Sequence, residues 1–269
     1  KTIRKTRLMS RIIRSAYDLD CLIMQHAEDY ELSKNGMVND GIISTKLGLQ
    51  GIPDIAEKII IERDLTLLED LNCRYHVSQI SSSKSVDIIE QKKEMVSFTT
   101  GVSINNLSLN ENDIGDFRTF LKLSPPLRTE DDRISLIKGI NKNLIDVIVS
   151  DHKPEDEESK RLTFSQAATG ASGVETLLPL SLELFHNGSV KLFKLIELLT
   201  SNPAKILKIN KGNLSIGNDA DFCIVDIYKP WIVKKEKIVS KSKNTCIDDK
   251  KLQGQVVNTF VKGEELFKI

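Results

Sequence analysis

The sequence is most strand-like at Ile145-Asp146-Val147-Ile148-Val149, a short apolar run that continues into Ser150-Asp151-His152. A continuous apolar run of this length indicates a strand buried on both faces, which is typical of a parallel sheet. A carboxylate directly after such a strand is well placed to be a metal ligand or a general base, and equally well placed to cap the following helix. The spacing alone does not separate these two interpretations of Asp151.

Strand-like and helical segments alternate on both sides of this run. The apolar spacing predicts strands at residues 21–24, 75–80, 96–102 and 145–149, and helices at residues 8–17, 55–71, 83–94, 130–142, 173–187 and 190–200. Strand then helix, repeated about four times, predicts parallel βαβ units and therefore an α/β fold. After Pro203 the pattern changes to strands with Gly turns, over 212–226 and 256–267. We therefore expect an α/β domain over 1–207 and a small β segment over 208–269.

The composition argues against several classes of function. The chain has 269 residues, with 38 Lys and Arg against 38 Asp and Glu, so bulk charge gives no reason to expect nucleic acid or an acidic membrane surface as a partner. No apolar run approaches the roughly 20 residues that span a bilayer. The four cysteines lie far apart without a CxxC spacing, which favours reduced thiols and a cytoplasmic location over a zinc knuckle or a disulfide framework.

Polar side chains collect at the predicted strand ends. These residues are His26-Ala27-Glu28-Asp29, Gln79, Ser103 to Asn106, Ser124 and Asp151-His152. Since chemistry in α/β barrels collects where the strands end, they predict one shared pocket. On spacing alone, a single His such as His26 is more often a structural hydrogen-bonding residue than a ligand. The sequence contains no GxSxG, GxGxxG or GKS/T motif, so nucleophilic serine and phosphate-loop chemistry have no support.

Several segments together resemble a bacterial dihydroorotase of the cyclic amidohydrolase superfamily. They are His26-Ala27-Glu28-Asp29, Leu47-Gly48-Leu49-Gln50-Gly51-Ile52-Pro53, Tyr75-His76-Val77-Ser78-Gln79-Ile80-Ser81, Leu123-Ser124-Pro125-Pro126-Leu127-Arg128, Glu130-Asp131-Asp132-Arg133, residues 145–154, Gly173-Val174-Glu175-Thr176, Thr200-Ser201-Asn202-Pro203-Ala204-Lys205 and Gly217-Asn218-Asp219-Ala220-Asp221-Phe222. The resemblance covers essentially the whole chain, and the motifs occur in family order. It implies a partial (β/α)8 amidohydrolase barrel, from about the fifth strand onward, with a small C-terminal β-sandwich segment.

The resemblance also implies residues that this sequence does not contain. The first strand of the family carries a His-x-His pair of metal ligands, and nothing here matches it. Because a partial barrel leaves open strand edges, we expect the natural protein to be longer than this chain. For the same reason we expect the 269-residue chain expressed alone to be poorly soluble.

The resemblance implies a metal-assisted hydrolysis. In the family, a metal-bound hydroxide opens the cyclic amide of dihydroorotate, and the carboxylate after the last strand moves the proton to the leaving nitrogen. Asp151 matches that carboxylate, as acid/base and metal ligand, and His26 matches a His ligand on the fifth strand. The next His ligand falls at Gln79, whose neutral amide is a poor ligand for zinc. The resemblance therefore implies zinc as the cofactor, with at most one ion, or none.

The substrate side of the pocket also departs from the family. The Asn before the double Pro is Ser124 here, and the second His of the family's Asp-His-x-Pro-His is Glu155. The family's Pro-His-His is replaced by Ile104-Asn105-Asn106, whereas Gly170 matches the family's Gly at the substrate edge. Glu155 therefore places a negative charge where an anionic substrate carboxylate would lie.

Three functions stay open on the sequence. The first is a dihydroorotase-like hydrolase of a cyclic amide C–N bond, acting on dihydroorotate and N-carbamoyl-aspartate in pyrimidine biosynthesis. The second is a catalytically inactive relative that serves as a scaffold for aspartate transcarbamoylase, the preceding enzyme of the pathway. The third is an amidohydrolase of altered substrate. The expected partners are a small-molecule substrate and either a second copy of the chain or the transcarbamoylase.

Overall fold

The computed structural model describes residues 2–269. Its strands are β1 (Ile23–His26), β2 (Val38–Asn39), β3 (Gly51–Ile52), β4 (Tyr75–Ile80), β5 (Thr99–Ser103), β6 (Val147–Val149), β7 (Phe222–Ile232), β8 (Lys251–Val261) and β9 (Glu264–Lys268). Its α-helices are α1 (Thr6–Asp18), α2 (Tyr30–Ser33), α3 (Ile42–Leu47), α4 (Ile55–Leu68), α5 (Ser83–Lys92), α6 (Ile104–Ser108), α7 (Glu130–Asn141), α8 (Glu157–Arg161), α9 (Leu177–His186), α10 (Leu192–Leu199) and α11 (Ser201–Leu207). Short 3-10 helices lie at Glu111–Ile114, Thr119–Leu121 and Lys235–Lys237. Within these residues, no helix combines the length and the apolar character needed to cross a bilayer.

Four strands form one parallel sheet in the order β1-β4-β5-β6. Helices separate these strands along the chain, which is the arrangement of consecutive βαβ units. Helix α4 packs against α1 and α5, and α5 packs against α7. Ile61 and Leu65 of α4, Ile89 of α5 and Ile140 of α7 are fully buried in the core. The parallel α/β architecture predicted from the sequence is confirmed.

Strands β1 and β5 start later than the apolar runs predict, at Ile23 rather than residue 21 and at Thr99 rather than residue 96. Both also extend into polar residues at their carboxyl ends. His26 pairs with Ser78 of β4, and Ser103 pairs with Val149 of β6. Because backbone pairing defines a strand, hydropathy alone placed these two elements too early.

The last three strands form a separate antiparallel sheet in the order β7-β8-β9. Strand β8 packs on α9 at Gly254, where φ is 102° and a Cβ would lie 2.3 Å from Cδ1 of Leu182, so a larger residue would be strained and would displace that side chain. The predicted strand over residues 212–226 is observed only from Phe222 onward. The small C-terminal antiparallel sheet is confirmed, whereas the domain boundary at residue 207 stays a prediction.

A buried polar network supports the loop that follows β4. Glu57 of α4 accepts hydrogen bonds from the backbone N–H groups of Ser81 at 2.9 Å and Ser82 at 3.2 Å. Arg128 donates from Nε to Oγ of Ser81 at 3.2 Å and from Nη1 to Oδ1 of Asn39 at 2.8 Å. All five residues are buried, and a buried network whose members are paired fixes the geometry of the backbone around it.

Candidate functional site

Gln79 and Asp151 lie at the carboxyl ends of β4 and β6, and both have a left-handed backbone, with φ of 57° and 47°. Residues other than Gly adopt this conformation at a cost, and they are concentrated at functional sites. At Gln79 it accompanies a shift of the β4–β5 register between Val77 and Ile80. Such an irregularity redirects the side chain. The two side chains consequently meet although β5 lies between their strands.

The side chain of Gln79 binds the carboxylate of Asp151. Nε2 of Gln79 donates to Oδ1 of Asp151 at 2.7 Å. Burial raises the pKa of Asp151, and the Gln79 hydrogen bond and the charges of His26 and Lys153 reduce this effect only in part. A buried carboxyl group with a raised pKa holds a proton more readily than an exposed Asp does, which suits a group that both accepts and returns a proton.

His26 lies at the end of β1 and faces the loop of the double Pro. Its Nε2 is 3.3 Å from Oγ of Ser124 and 3.9 Å from Oε2 of Glu28. Burial opposes ionisation of Glu28, but hydrogen bonds from His26 and Ser33 outweigh it, so the pKa of Glu28 is lowered. The structure therefore brings His26 and Ser124 together, with Glu28 as a charged neighbour of the imidazole.

The residues at this edge do not form a metal centre by themselves. Within residues 2–269, no group of three or more His, Cys, Asp and Glu side chains lies close enough to hold an ion. Gln79 turns an N–H donor, rather than its carbonyl oxygen, toward Asp151. Zinc centres in proteins use three or four protein ligands. A zinc ion at His26 and Asp151 would therefore need further ligands.

Glu155 lies beside a cation of its own loop. Nζ of Lys153 is 3.7 Å from Oε1 of Glu155, and because 59% of the Lys153 side chain is exposed, the pair is a weak one. The backbone of Glu155 is held more firmly. Its N–H donates to Oδ1 of Asn244 at 3.3 Å, and its carbonyl oxygen accepts from the hydroxyl of Ser242 at 2.5 Å. Lys153 thus offsets part of the negative charge at this position.

Gly170 has a φ of 138°, and a Cβ there would lie 2.7 Å from the carbonyl oxygen of Lys153. Its N–H donates to the carbonyl oxygen of Lys122 at 2.9 Å. Its carbonyl oxygen accepts from Nζ of Lys160 at 2.9 Å and from Nδ2 of Asn244 at 3.0 Å. Since the protein already uses both polar groups of Gly170, a ligand at this position would meet its Cα.

Asn105 and Asn106 lie in the first turn of α6, next to the predicted pocket. Nδ2 of Asn106 donates to the carbonyl oxygen of Pro126 at 2.9 Å, which joins α6 to the loop that carries Ser124. Nδ2 of Asn105 is buried and has no hydrogen-bond partner within residues 2–269. Asn106 is therefore a supporting residue of the Ser124 loop.

Two histidines near the strand ends have structural partners. Nδ1 of His152 accepts a hydrogen bond from the N–H of Gly173 at 3.1 Å. Nδ1 of His76 is 2.8 Å from Oγ1 of Thr99. Tyr75, the neighbour of His76, reaches Asp64 of α4 at 2.7 Å, so alternation along β4 turns His76 to the face away from that helix.

Sequence reasoning missed three residues that contact the site. Asn244 lies within residues 229–251, a stretch whose many lysines favour a solvated loop, yet Asn244 is only 2% exposed. Lys122 and Lys160 are buried as well. The sequence carries no signal for Asn244 or Lys160, and the only signal for Lys122 is its position two residues before Ser124.

Three comparisons show what the chain is similar to in sequence. The model of the amidohydrolase family matches residues 4–266. A dihydroorotase of Ehrlichia chaffeensis is 44% identical over 252 residues, which is 93% of this chain and 56% of the relative. A dihydroorotase of Anaplasma phagocytophilum is 41% identical over 262 residues, which is 97% of this chain and 59% of the relative. The chain thus spans a little more than half the length of these curated relatives.

Solved structures share the fold. L-hydantoinase (dihydropyrimidinase) from Arthrobacter aurescens matches with a TM-score of 0.86 and 26% identity, covering 98% of this chain and 61% of that chain. Dihydropyrimidinase from Brevibacillus agri matches with the same TM-score of 0.86 at 19% identity, covering 97% of this chain and 59% of that chain. At 19% identity, the second likeness concerns the fold alone.

Proposed function

The chain belongs to the amidohydrolase family, as its sequence predicted, and from this premise we propose that it serves in the hydrolysis of a cyclic amide C–N bond of the dihydroorotate type. The relatives named dihydroorotase support this substrate class, in which N-carbamoyl-aspartate is the open-ring compound. A role in pyrimidine biosynthesis and a cytoplasmic location belong to the same proposal.

The observation that most supports the proposal is the hydrogen bond between Gln79 and Asp151 at the carboxyl edge of the parallel sheet. In the forward reaction, the Asp151 carboxylate accepts a proton as water adds to the amide carbonyl carbon. The resulting carboxylic acid returns this proton to the ring nitrogen as the C–N bond breaks, and the water oxygen stays in the new carboxyl group. Gln79 orients Asp151 throughout. General acid/base catalysis of this kind contributes about 10²- to 10⁴-fold in rate.

His26 and Ser124 form a second part of the proposed pocket. Their side chains are 3.3 Å apart, so the Ser124 hydroxyl is oriented by the imidazole and can hydrogen-bond a polar group of the substrate. Gly170 and Glu155 are the proposed substrate edge, and Lys153 beside Glu155 is the proposed cation for a substrate carboxylate.

We propose that the protein binds at most one zinc ion. His26 and Asp151 are its matched ligands, and the set is too small for a zinc centre because no group of three candidate ligands lies together within residues 2–269. Further ligands would have to come from outside these residues. The roles proposed here for Asp151, Gln79, His26 and Ser124 are those of the protein groups alone.

The test is turnover of dihydroorotate, and of N-carbamoyl-aspartate in the reverse direction, by the protein and by Asp151→Asn. We expect the variant to lose about 10²-fold or more of kcat, because the amide keeps the shape of Asp151 but cannot accept the proton. Asp156→Asn is the matched control, since Asp156 caps α8 at the surface. Full activity of Asp151→Asn would overturn the proposed role of Asp151.

A second function, that of a catalytically inactive scaffold for aspartate transcarbamoylase, is the alternative from the sequence, and the dihydroorotase relatives do not favour it. Gln79 supplies an amide donor at the position that the resemblance assigns to a metal-binding imidazole. Co-elution of the protein with the transcarbamoylase tests this function, and Asp151→Asn should leave such an assembly intact. Co-elution without turnover would replace the first proposal by the second. Absence of both would leave an amidohydrolase of altered substrate.

A further inference from the structure

Two buried lysines lie next to the proposed pocket. Lys160 is 1% exposed and Lys122 is 8% exposed. A buried ammonium group is costly unless every donor finds a partner, and buried lysines are usually paired with carboxylates. Within residues 2–269, the hydrogen-bond acceptors of both ammonium groups are backbone carbonyl oxygens rather than carboxylates. Something other than an ion pair therefore compensates these two charges.

The compensation comes from backbone carbonyl groups of a single short segment, residues 164–170. Nζ of Lys122 donates to the carbonyl oxygens of Phe164 at 2.9 Å, Ser165 at 3.0 Å and Ala167 at 2.9 Å. Nζ of Lys160 donates to those of Ala168 at 2.8 Å and Gly170 at 2.9 Å. Residues 164–170 form neither helix nor strand, so these carbonyl groups have no regular backbone partners. The hydrogen bonds from the two lysines therefore take the place of the backbone hydrogen bonds that a helix or strand would give this segment.

Backbone hydrogen bonds connect residues 164–170 and the adjoining Ala171 to the loops of the proposed active site. The backbone of Lys122 accepts the N–H of Gly170 at 2.9 Å, so Lys122 binds the segment through both its side chain and its main chain. Immediately after Gly170, the carbonyl oxygen of Ala171 accepts the N–H of Lys153 at 2.8 Å. Lys153 follows Asp151 by two residues, and Lys122 precedes Ser124 by two. Any shift of residues 164–170 would therefore be transmitted to Asp151 and to Ser124.

We propose that Lys122 and Lys160 are positioning residues, whose two buried ammonium groups hold residues 164–170 against the loop that follows Asp151. They thereby fix the pocket wall at Gly170 on which the cyclic amide rests. Neither lysine contacts the reacting atoms in this arrangement. The inference rests on the proposed function for the identity of the substrate, whereas the hold on the segment does not depend on it.

The test uses Lys122→Met and Lys160→Met, which keep the length and apolar stem of the side chain but remove the charge and the donors. Lys142→Met is the matched control, because Lys142 is an exposed lysine paired with Glu90 on the surface. Hydrogen–deuterium exchange is measured for the backbone amides of residues 164–171. We expect about tenfold faster exchange in both variants, since each lost hydrogen bond is worth up to about a factor of ten. Exchange in α4 and in the control should not change.

Steady-state kinetics separate positioning from stability. We expect KM for dihydroorotate to rise about tenfold in Lys122→Met and Lys160→Met while kcat changes much less, because the lysines act on where the substrate rests. A purely structural role would lower the amount of folded enzyme and leave KM unchanged. Lys160→Arg, which retains charge and donors, should recover part of the loss. Should Lys122→Met fail to fold, Lys160→Met remains, since it removes only the two hydrogen bonds to Ala168 and Gly170 at the end of the segment.

Each outcome decides a separate point. Unchanged exchange at residues 164–171 in every variant would overturn the inference regardless of activity. Faster exchange with unchanged KM would show that the lysines hold the segment without positioning substrate, which also overturns it. If the unmodified protein neither turns over nor binds dihydroorotate in calorimetry, the proposed function fails. The exchange measurement then still decides whether the two lysines hold the segment.

Discussion

The amide of Gln79 donates a hydrogen bond of 2.7 Å to the carboxylate of Asp151, and both residues, near the carboxyl ends of β4 and β6, have a left-handed backbone conformation. A neutral donor thus occupies the place next to Asp151 where the resemblance implies a metal-binding imidazole. The amide stabilises the carboxylate less than a cation would, and burial therefore still raises the pKa of Asp151. The pair favours a carboxyl group that exchanges protons over one that is fixed to an ion.

A tight two-zinc centre should not form in this protein, because Gln79 leaves His26 as the only matched imidazole of the second ion. Elemental analysis after dialysis is expected to find at most about one zinc per chain, since a stable centre needs three or four good ligands. Gln79→His restores an imidazole and should raise the zinc content. Two tightly held ions per chain in the unmodified protein would contradict this prediction.

His76 should make the protein sensitive to mild acid. Burial lowers the pKa of His76 from 6.5 to about 4, so the unfolded chain binds more protons than the folded chain between these two values. The free energy of unfolding should therefore fall as the pH is lowered from 6.5 to 4, by up to about 3 kcal/mol in total.

Urea unfolding of the protein and of His76→Gln at pH 7, pH 5 and pH 4 measures this contribution. The variant should lose less stability over this range, because the titrating imidazole is gone while a polar group stays within reach of Thr99. His186→Gln serves as the control at a second histidine. Parallel pH dependences for the protein and for His76→Gln would show that His76 does not titrate in this way.

The fold could be predicted from the sequence because its signal is spread over many residues. The run at residues 145–149 reports burial directly, since Ile145, Val147 and Ile148 are all buried, and burial is what places an element against the sheet. Errors lay at the ends, as at Ile23 and Thr99, where backbone pairing rather than hydropathy sets the limit.

The sequence marks the candidate site by predicted strand ends and by the resemblance. Asp151, Gln79 and His26 lie at predicted strand ends and take their proposed roles from the resemblance, whereas Glu155 and Gly170 are implied by the resemblance alone. The roles of Lys160 and Asn244 could not be predicted, because they depend on contacts with residues elsewhere in the chain. Lys160 binds carbonyl groups 8 and 10 residues away, and Asn244 binds one 74 residues away. No local pattern encodes a partner at that separation.

Glu57→Ala should destabilise the protein by about 2–4 kcal/mol, because it leaves the buried N–H groups of Ser81 and Ser82 without an acceptor. Glu57→Gln keeps one oxygen acceptor and should cost less. Glu62→Ala is the matched control, since Glu62 is exposed on the same helix. Urea unfolding measures all three. Equal costs for Glu57→Ala and Glu62→Ala would mean that the network around Ser81 contributes nothing to stability.

Gly170→Ala should impair both stability and turnover. Its φ of 138° is a conformation that residues with a Cβ rarely adopt, and the new Cβ would lie 2.7 Å from the carbonyl oxygen of Lys153. Since that oxygen belongs to the backbone two residues after Asp151, relief of the collision has to move either the segment of Gly170 or the loop of the proposed catalytic carboxylate. We expect a loss of about 1–3 kcal/mol in the free energy of unfolding, together with reduced dihydroorotate turnover.

Gly188→Ala separates backbone strain from the collision with Lys153 as causes of the expected loss in Gly170→Ala. Gly188 also has a positive φ, 75°, but a Cβ there would meet nothing within 4 Å, so the substitution adds backbone strain without a collision. We expect it to cost about 1 kcal/mol and to leave turnover unchanged. Lys153→Ala in the Gly170→Ala background should restore little, because it removes the Lys153 side chain but not the carbonyl oxygen that the new Cβ meets. If Gly170→Ala and Gly188→Ala had the same effect on stability and on turnover, the close approach of Lys153 to Gly170 would have no part in holding the Asp151 loop.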